Sequence, residues 1–278
     1  MNEIEFLSEY SSEKKCVLFF KSIIEYKGLT CRHCGSNKLK WGSKDLVWRC
    51  VKCTQKISIK SVSFMKNSKC SYQEWLHAIY FLLEPKKPIS TKELQRKLGS
   101  KYYKRVYYMA MKIRYELIRI NKNLEFSSYA LLKKLDEFDL NDGKLHSVPA
   151  KTVLLYKKDK CVSKLRMIIS KQDLKYNLKE IEHKMKDYSF MKLLNSQDKE
   201  LFQKSLMKRK RYAVNRHMDL RIQHNTNRII EGIHHGVSRF HLQAYLDEFS
   251  FKYNNRLGGY SNFLLFCENL EFGNHRHT

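Results

Sequence analysis

Four cysteines arranged in two pairs carry the clearest chemistry in this sequence. Cys31 and Cys34 form the pair CRHC, Cys50 and Cys53 form the pair CVKC, and the 15 residues 35 to 49 separate them. Two pairs at this spacing bring four thiolates onto one zinc ion. Because four thiolates leave no open position on the ion, the pattern predicts a structural zinc site rather than a catalytic one.

Short strands are expected to position these cysteines. The segments KLKW and LVWRC read as two strands of a zinc ribbon, and Gly35 relaxes the turn after the first pair. The remaining cysteines have no partner at ligand spacing, and we expect them to be buried thiols. They are Cys16, Cys70, Cys161 and Cys267.

The overall charge indicates a polyanionic partner. The 278 residues include 54 Lys and Arg against 28 Asp and Glu, which gives a formal net charge of +26. Nucleic acid is the expected partner. A genome that favours lysine codons is an alternative explanation for the positive charge. The sequence shows no apolar run of membrane-spanning length and no signal peptide, so we expect a cytoplasmic protein without a membrane partner.

A helix-turn-helix is predicted after the cysteine-containing segment. A core helix in SYQEWLHAIYFLLE precedes a short helix capped by Ser90 or Thr91, a turn at Gly99 and a second helix over about 101 to 117. An ordinary helical hairpin is the alternative. Residues expected to face the core are Val106, Met109, Ile113 and Leu117, and residues expected to face DNA are Lys101, Lys104, Arg105, Tyr108 and Lys112.

The last part of the chain has the element order of a ribonuclease H-like domain. Residues 152 to 158 and 161 to 170 form a predicted hairpin, followed by alternating helices and strands. In such a domain, carboxylates at the ends of the first and fourth strands hold two metal ions. Asp139 and Asp198 occupy these two places, although an Asp at a strand end is often only a turn residue.

The segment GIHHGVSRFHLQAYLDEFSFKYNNR, residues 232 to 256, resembles a family-specific segment of prokaryotic insertion-sequence transposases of the ISXO type. The similarity extends over about residues 20 to 266 and includes both cysteine pairs. It implies a multi-domain α/β protein with three parts. These are a zinc ribbon with an N-terminal extension (1–65), a helix-turn-helix region (66–132) and a ribonuclease H-like core with a mixed sheet (133–278).

The resemblance also implies a set of catalytic residues. Asp139 and Asp198 would hold two catalytic Mg²⁺ or Mn²⁺ ions, with Asp219 as the alternative second aspartate. An alignment without gaps places Asn225 at the third catalytic position, Asn227 where the family has a lysine, and Arg228 at a DNA-contacting arginine. A rival alignment with gaps assigns Asn227 and Glu231 instead.

The implied activity is DNA transposition. The protein would bind the terminal repeats of an insertion sequence as a homodimer on double-stranded DNA, associated with the nucleoid, and would cleave and transfer strands. Because Asn227 replaces the expected lysine, a catalytically impaired, domesticated DNA-binding protein is the alternative. An RNA-binding ribbon protein is a third hypothesis, but the sequence lacks the aromatic sheet motifs of RNA readers. We expect Asp247 and Glu248 to belong to a structural or DNA-positioning helix, with a phosphate contact at its tail, Lys252 to Arg256.

Overall fold

The structure is a computed structural model. It describes residues 2–122, 128–131, 144–145, 153–158, 163–168, 222, 224–238, 240–256 and 261–272. The chain forms two compact units. The first comprises Met1–Glu84, Leu94–Ile113 and Phe263–Thr278, and the second comprises Pro85–Glu93 and Arg114–Asn262.

The described elements mix helices with small antiparallel sheets, which is compatible with the predicted α/β class. The helices are α1 (Glu3–Glu9), α2 (Glu13–Lys27), α3 (Tyr72–Leu83), α4 (Thr91–Lys97), α5 (Tyr103–Lys122), α6 (Leu242–Asn255) and α7 (Asn262–Glu268), with a 3₁₀ turn at Lys60–Val62 and a π-helical turn at Ile229–Ile233. The strands are β1 (Leu39–Gly42), β2 (Val47–Cys50), β3 (Lys56–Ser58), β4 (Ser128–Leu131), β5 (Lys144–Leu145), β6 (Val153–Lys158), β7 (Ser163–Ile168) and β8 (Val237–Ser238).

Polar caps fix where the helices of the first unit begin. The side chains of Asn2 and Ser71 each accept a hydrogen bond from the backbone N–H of a glutamate three residues later. The side chain of that glutamate accepts a hydrogen bond from the backbone N–H of the capping residue, so α1 and α3 both start with a capping box. Ser12 caps α2. These caps satisfy backbone donors that have no partner within the helix.

The core of the first unit is largely aromatic. The ring of Phe6 on α1 stacks on Tyr80 of α3 with centroids 3.8 Å apart, and meets Phe263 of α7 edge-on at 5.2 Å. Trp75 of α3 is also buried and donates from Nε1 to Ser68 Oγ at 3.1 Å. Helices α1 and α7 therefore both pack on α3, which carries the predicted core stripe.

The cysteine-containing segment forms an antiparallel sheet of order β1-β2-β3. Strands β1 and β2 are the two that the sequence predicts, and β3 is an addition. Trp41 of β1 and Trp48 of β2 are paired across the strands, with ring centroids 4.5 Å apart. Trp48 donates from Nε1 to Glu25 of α2 at 3.2 Å, which ties the sheet to the helical core.

The predicted helix-turn-helix elements are present as helices. Ser90 Oγ accepts from the backbone N–H of Glu93, and Gly99 has a φ of +60° at the turn before α5. Helix α5 extends to Lys122, five residues beyond the predicted end. All four predicted core-facing side chains are buried: Val106, Met109, Ile113 and Leu117.

In the second unit, the predicted hairpin is confirmed as β6 and β7, which pair antiparallel, and β4 pairs with β6. The short strands β5 and β8 pair with each other, and α6 packs against β7. The predicted strand at Asp139, the region around Asp198 and the alternative Asp219 lie outside the described residues. Within the part of the chain that the structure describes, no helix has both the length and the apolar character to cross a bilayer.

Candidate metal centre and nucleic-acid surface

The four predicted zinc ligands lie together at one end of the β1-β2-β3 sheet. The Sγ atoms of Cys31, Cys34, Cys50 and Cys53 all lie within 4.8 Å of one another. Two cross-pair distances, Cys31 to Cys53 and Cys34 to Cys50, are 3.5 Å. Tetrahedral zinc with Zn–S bonds of about 2.3 Å needs sulfurs about 3.8 Å apart. The arrangement is therefore compatible with a structural zinc ion.

The two cysteine pairs sit in matching backbone turns. The N–H of Gly35 donates to the carbonyl of Cys31 at 2.8 Å, and the N–H of Thr54 donates to the carbonyl of Cys50 at 2.9 Å. Gly35 and Thr54 both have left-handed φ values, +70° and +60° respectively. The same local fold therefore positions both pairs, although the second pair lacks the glycine that suits this conformation.

The turns favour the thiolate form that a metal requires at Cys31 and Cys50, but not at Cys53, where a backbone hydrogen bond from Gln55 is outweighed by burial and the neighbouring thiols, which raise the pKa to about 12. A backbone hydrogen bond from Cys34 lowers the pKa of the Cys31 thiol. A backbone hydrogen bond from Cys53 likewise lowers the pKa of Cys50, to about 6. Backbone donors stabilise charge on sulfur, so these turns suit an ion-binding site.

The other described cysteines lie away from this site, as the sequence predicts. Cys16, Cys70 and Cys267 are buried free thiols, and Cys161 lies outside the described residues. Burial raises the pKa of Cys16 to about 11 and raises that of Cys267 further. They are therefore suited to packing rather than to nucleophilic chemistry.

The start of α5 and the turn before it present cations and aromatic rings to solvent. We call this the basic-aromatic surface. Tyr102, Tyr103 and Tyr108 are 68%, 47% and 57% exposed, whereas tyrosine is on average intermediate in burial. The guanidinium of Arg105 lies 5.9 Å from the Tyr102 ring, and Lys104 Nζ lies 5.9 Å from the Tyr108 ring. The surface comprises Lys101, Tyr102, Tyr103, Lys104, Arg105 and Tyr108.

Two of its tyrosines were not among the predicted DNA contacts. Tyr102 and Tyr103 lie four and three residues before Val106, where the helical period would continue the apolar stripe of α5, so the sequence pattern gives no signal of their exposure. Lys112 differs from the expectation of a DNA-facing side chain. It is half-buried, its amine donates to the carbonyl of Lys66, and burial lowers its pKa.

Arg105 is exposed but already has a protein partner. Its guanidinium forms an ion pair with Glu74, the residue that completes the capping box of α3. An exposed pair of this kind contributes little to stability, so exchange for a phosphate partner costs little.

The predicted third catalytic position lies on a helical segment, 224–228, that leads into the π-helical turn. Asn225 and Arg228 are exposed there, Asn227 is half-buried, and Glu231 of the rival alignment is exposed in the following turn. Asp139 and Asp198, with which these residues would form the catalytic site, lie outside the described residues.

The acids of α6 belong to a buried polar network. Glu248 Oε2 accepts from Arg114 Nε at 2.7 Å, and neither side chain is exposed by more than 2%. Asp247 accepts from Asn121 Nδ2 at 2.8 Å and from Gln243 Nε2 at 2.7 Å. These contacts join α5 to α6 within the second unit, in agreement with a structural helix.

His234 packs against the aromatic part of this network. Its ring meets Tyr245 edge-on at 4.6 Å, and the Arg114 guanidinium lies 4.1 Å from the same Tyr245 ring. Burial, reinforced by the charge of Arg114, lowers the pKa of His234 to about 3. Lys252 is buried as well and donates to the carbonyl of Pro85 at 3.1 Å, so this lysine serves the fold rather than a phosphate contact.

Comparison with protein-family models, with curated proteins and with solved structures finds no match to this chain.

Proposed function

We propose that this chain is a DNA transposase that binds the terminal repeats of an insertion sequence and transfers DNA strands in a Mg²⁺-dependent reaction. The resemblance of residues 232 to 256 to the transposase segment carries this proposal. Within that segment, the described residues form the turn at His234–Gly236 and helix α6.

The basic-aromatic surface supports the DNA-binding part of the proposal. Lys101, Lys104 and Arg105 would contact phosphates, since phosphate contacts position a protein on duplex DNA. Tyr102 and Tyr108 offer apolar and hydroxyl groups that suit sugar and base edges. The cysteine cluster of the same unit, which is compatible with zinc, would brace the unit without taking part in the chemistry.

The catalytic part rests on Asp139, Asp198 and Asn225. Two Mg²⁺ ions bound by the aspartates would activate the attacking hydroxyl and stabilise the leaving oxygen. In the transfer, the 3′-oxygen of one strand attacks phosphorus in line as the bond to the departing 3′-oxygen of the target breaks. Asn225 would orient the reacting groups as a neutral ligand, and Arg228 would contact a phosphate.

The test uses duplexes that carry the DNA flanking this coding region as element ends. With Mg²⁺ present, we expect Asp139→Ala and Asp198→Ala each to abolish strand joining, while binding of the end duplex stays within about twofold, because carboxylates make no favourable phosphate contact. Asp159→Ala is the matched control, since it removes a carboxylate of the same predicted domain without a proposed role. If both test variants still join strands, the catalytic assignment is wrong.

The asparagine at position 227 is the reason for a second candidate function, DNA binding without strand transfer. Asn227 stands where the family has a lysine, so the chain would bind DNA without transferring strands if that lysine is essential. Wild-type protein that binds end duplexes but yields no joined product would favour this DNA-binding protein over the enzyme. Asn227→Lys would then be expected to restore joining.

A further inference from the structure

One face of the β1-β2-β3 sheet carries a row of three cations. The register pairs Lys40 of β1 with Arg49 of β2, and Arg49 with Lys56 of β3. Directly paired residues lie on the same face of a sheet, about 4.8 Å apart from strand to strand. All three residues are exposed. We call them the ribbon row.

The opposite face of this sheet is covered. Trp48 and Ile57 are paired there and buried, and Trp48 hydrogen-bonds to Glu25 of α2. Lys21 of α2 lies 5.7 Å from the ring of Trp41 on the same side. The sheet is therefore held to its own unit by its aromatic face, and the ribbon row points away from that contact.

Nearby acids balance only one of the three cations of the row. Residues 31 to 70 contain ten Lys and Arg and one acid, Asp45. Asp45 forms an ion pair with Arg49. Among the described residues, no carboxylate lies within ion-pair distance of Lys40 or Lys56. Like charges directly opposite each other destabilise a sheet, so an external anion would relieve this arrangement.

The zinc ligands do not account for the row. Four thiolates around a divalent ion carry excess negative charge, and nearby cations often offset it. Successive residues of a strand point to opposite faces, so Cys50 and Arg49 are directed to different sides of β2. The row thus faces solvent rather than the sulfur cluster.

We infer that the ribbon row is a phosphate-binding surface for double-stranded DNA, additional to the basic-aromatic surface. This inference rests on the proposed DNA-binding function. Proteins that bind single strands stack the bases on aromatic side chains. The other residues on the face of the row are Gly42, Val47 and Ser58, none of which is aromatic, so this face does not suit a single strand. A face with cations and no aromatic ring contacts the backbone without reading sequence, which positions a protein on a duplex.

The test compares two variants that each remove three positive charges. Lys40→Gln, Arg49→Gln and Lys56→Gln together remove the row, and Lys14→Gln, Lys15→Gln and Lys69→Gln remove exposed charges elsewhere in the same unit. Affinity for a mixed-sequence DNA duplex is measured against salt concentration. For the row variant, we expect at least a tenfold loss of affinity at low salt, and a logarithmic salt slope smaller by about 0.9 for each phosphate that the variant no longer neutralises. The control should match the wild type within about twofold.

Each outcome has a separate meaning. If the row variant and the control behave alike, the row does not contact DNA, while the proposed function stands. If the wild type binds no duplex DNA, the proposed function and this inference fail together. If the wild type prefers an RNA duplex of the same sequence and the row variant loses that preference, DNA is the wrong partner.

Two further measurements keep the result interpretable. The zinc content of the row variant should equal that of the wild type, which shows that the module is intact. If the triple variant loses zinc, Lys40→Gln and Lys56→Gln are tested singly, because neither residue has an ion-pair partner among the described residues. Each should then reduce the salt slope by about 0.9, and unchanged slopes would overturn the inference.

Discussion

At the scale of single residues, the cysteine turns show how backbone conformation constrains the four-cysteine cluster. Gly35 adopts a φ of +70°, and a Cβ atom at this position would meet nothing within 4 Å. An added side chain would therefore cost backbone strain alone. Thr54 bears this strain in the second turn, where it has a φ of +60°.

We expect Gly35→Ala to lower the free energy of unfolding by about 1 kcal/mol, because a non-glycine residue is disfavoured in the left-handed region. Gly42→Ala is the matched control. Gly42 lies in β1 without a positive φ, and its added Cβ would make an ordinary 3.5 Å contact with the Val47 carbonyl oxygen. Chemical denaturation of the zinc-loaded protein measures both effects. Equal stabilities of the two variants would contradict the assigned role of Gly35.

The ion pair of Arg114 and Glu248 is buried on both sides. Burial acts to raise the pKa of Glu248, but the charges of Arg114 and Lys252 outweigh it and lower that pKa. Glu248→Gln would leave buried cations uncompensated, with an expected loss of about 3 to 5 kcal/mol in the free energy of unfolding. The same measurement on Glu3→Gln, whose half-exposed carboxylate pairs with Lys97, should show a loss below about 1 kcal/mol. Similar losses for both variants would show that the Glu248 pair is not isolated from water.

At the scale of elements, the sequence predicts what is encoded locally. The cysteine spacing, the strands β1 and β2, the hairpin β6–β7 and the buried stripe of α5 all follow from patterns within a few residues. Contacts between distant parts of the chain are not visible in this way. Arg114 and Glu248 are 134 residues apart, and only the packing of α5 and α6 shows that the Glu248 charge is internal. The burial of Lys112 and Lys252 has the same origin.

The turn before α6 should make the second unit sensitive to acid. The unfolded chain protonates His234 near its ordinary pKa of 6.5, whereas the folded chain resists protonation down to about pH 3. The free energy of unfolding should therefore fall as pH drops below about 6.5, by up to about 1.4 kcal/mol per pH unit from this residue. Burial also lowers the pKa of His241 in the same unit and of His77 in the first unit, and each acts in the same direction on the unit that contains it.

We expect His234→Phe to flatten the pH dependence between about pH 6.5 and 5, because phenylalanine keeps the aromatic contact and does not titrate. His224→Phe, which changes an exposed histidine, should leave the wild-type slope intact. Denaturation curves across this pH range provide the slopes. Identical slopes for the wild type and His234→Phe would show that His234 is already protonated or solvated in the folded protein.

At the scale of the whole molecule, the cations behind the net charge of +26 are divided between buried and exposed positions. Some cations are internal, as at Arg114 and Lys252, and contribute to packing. Others are exposed in the basic-aromatic surface and in the ribbon row. Under the proposed DNA-binding function, these two exposed surfaces would neutralise several phosphates of a duplex, and the affinity for the duplex should therefore depend steeply on salt.

The most direct test of the proposed activity is the joining of labelled element-end duplexes to a target plasmid by the purified wild-type chain. We predict a covalently joined product that forms with Mg²⁺ and disappears when a chelator removes the ion. Stable binding of the end duplexes without any joined product at any Mg²⁺ concentration would contradict the assignment of this chain as a transposase.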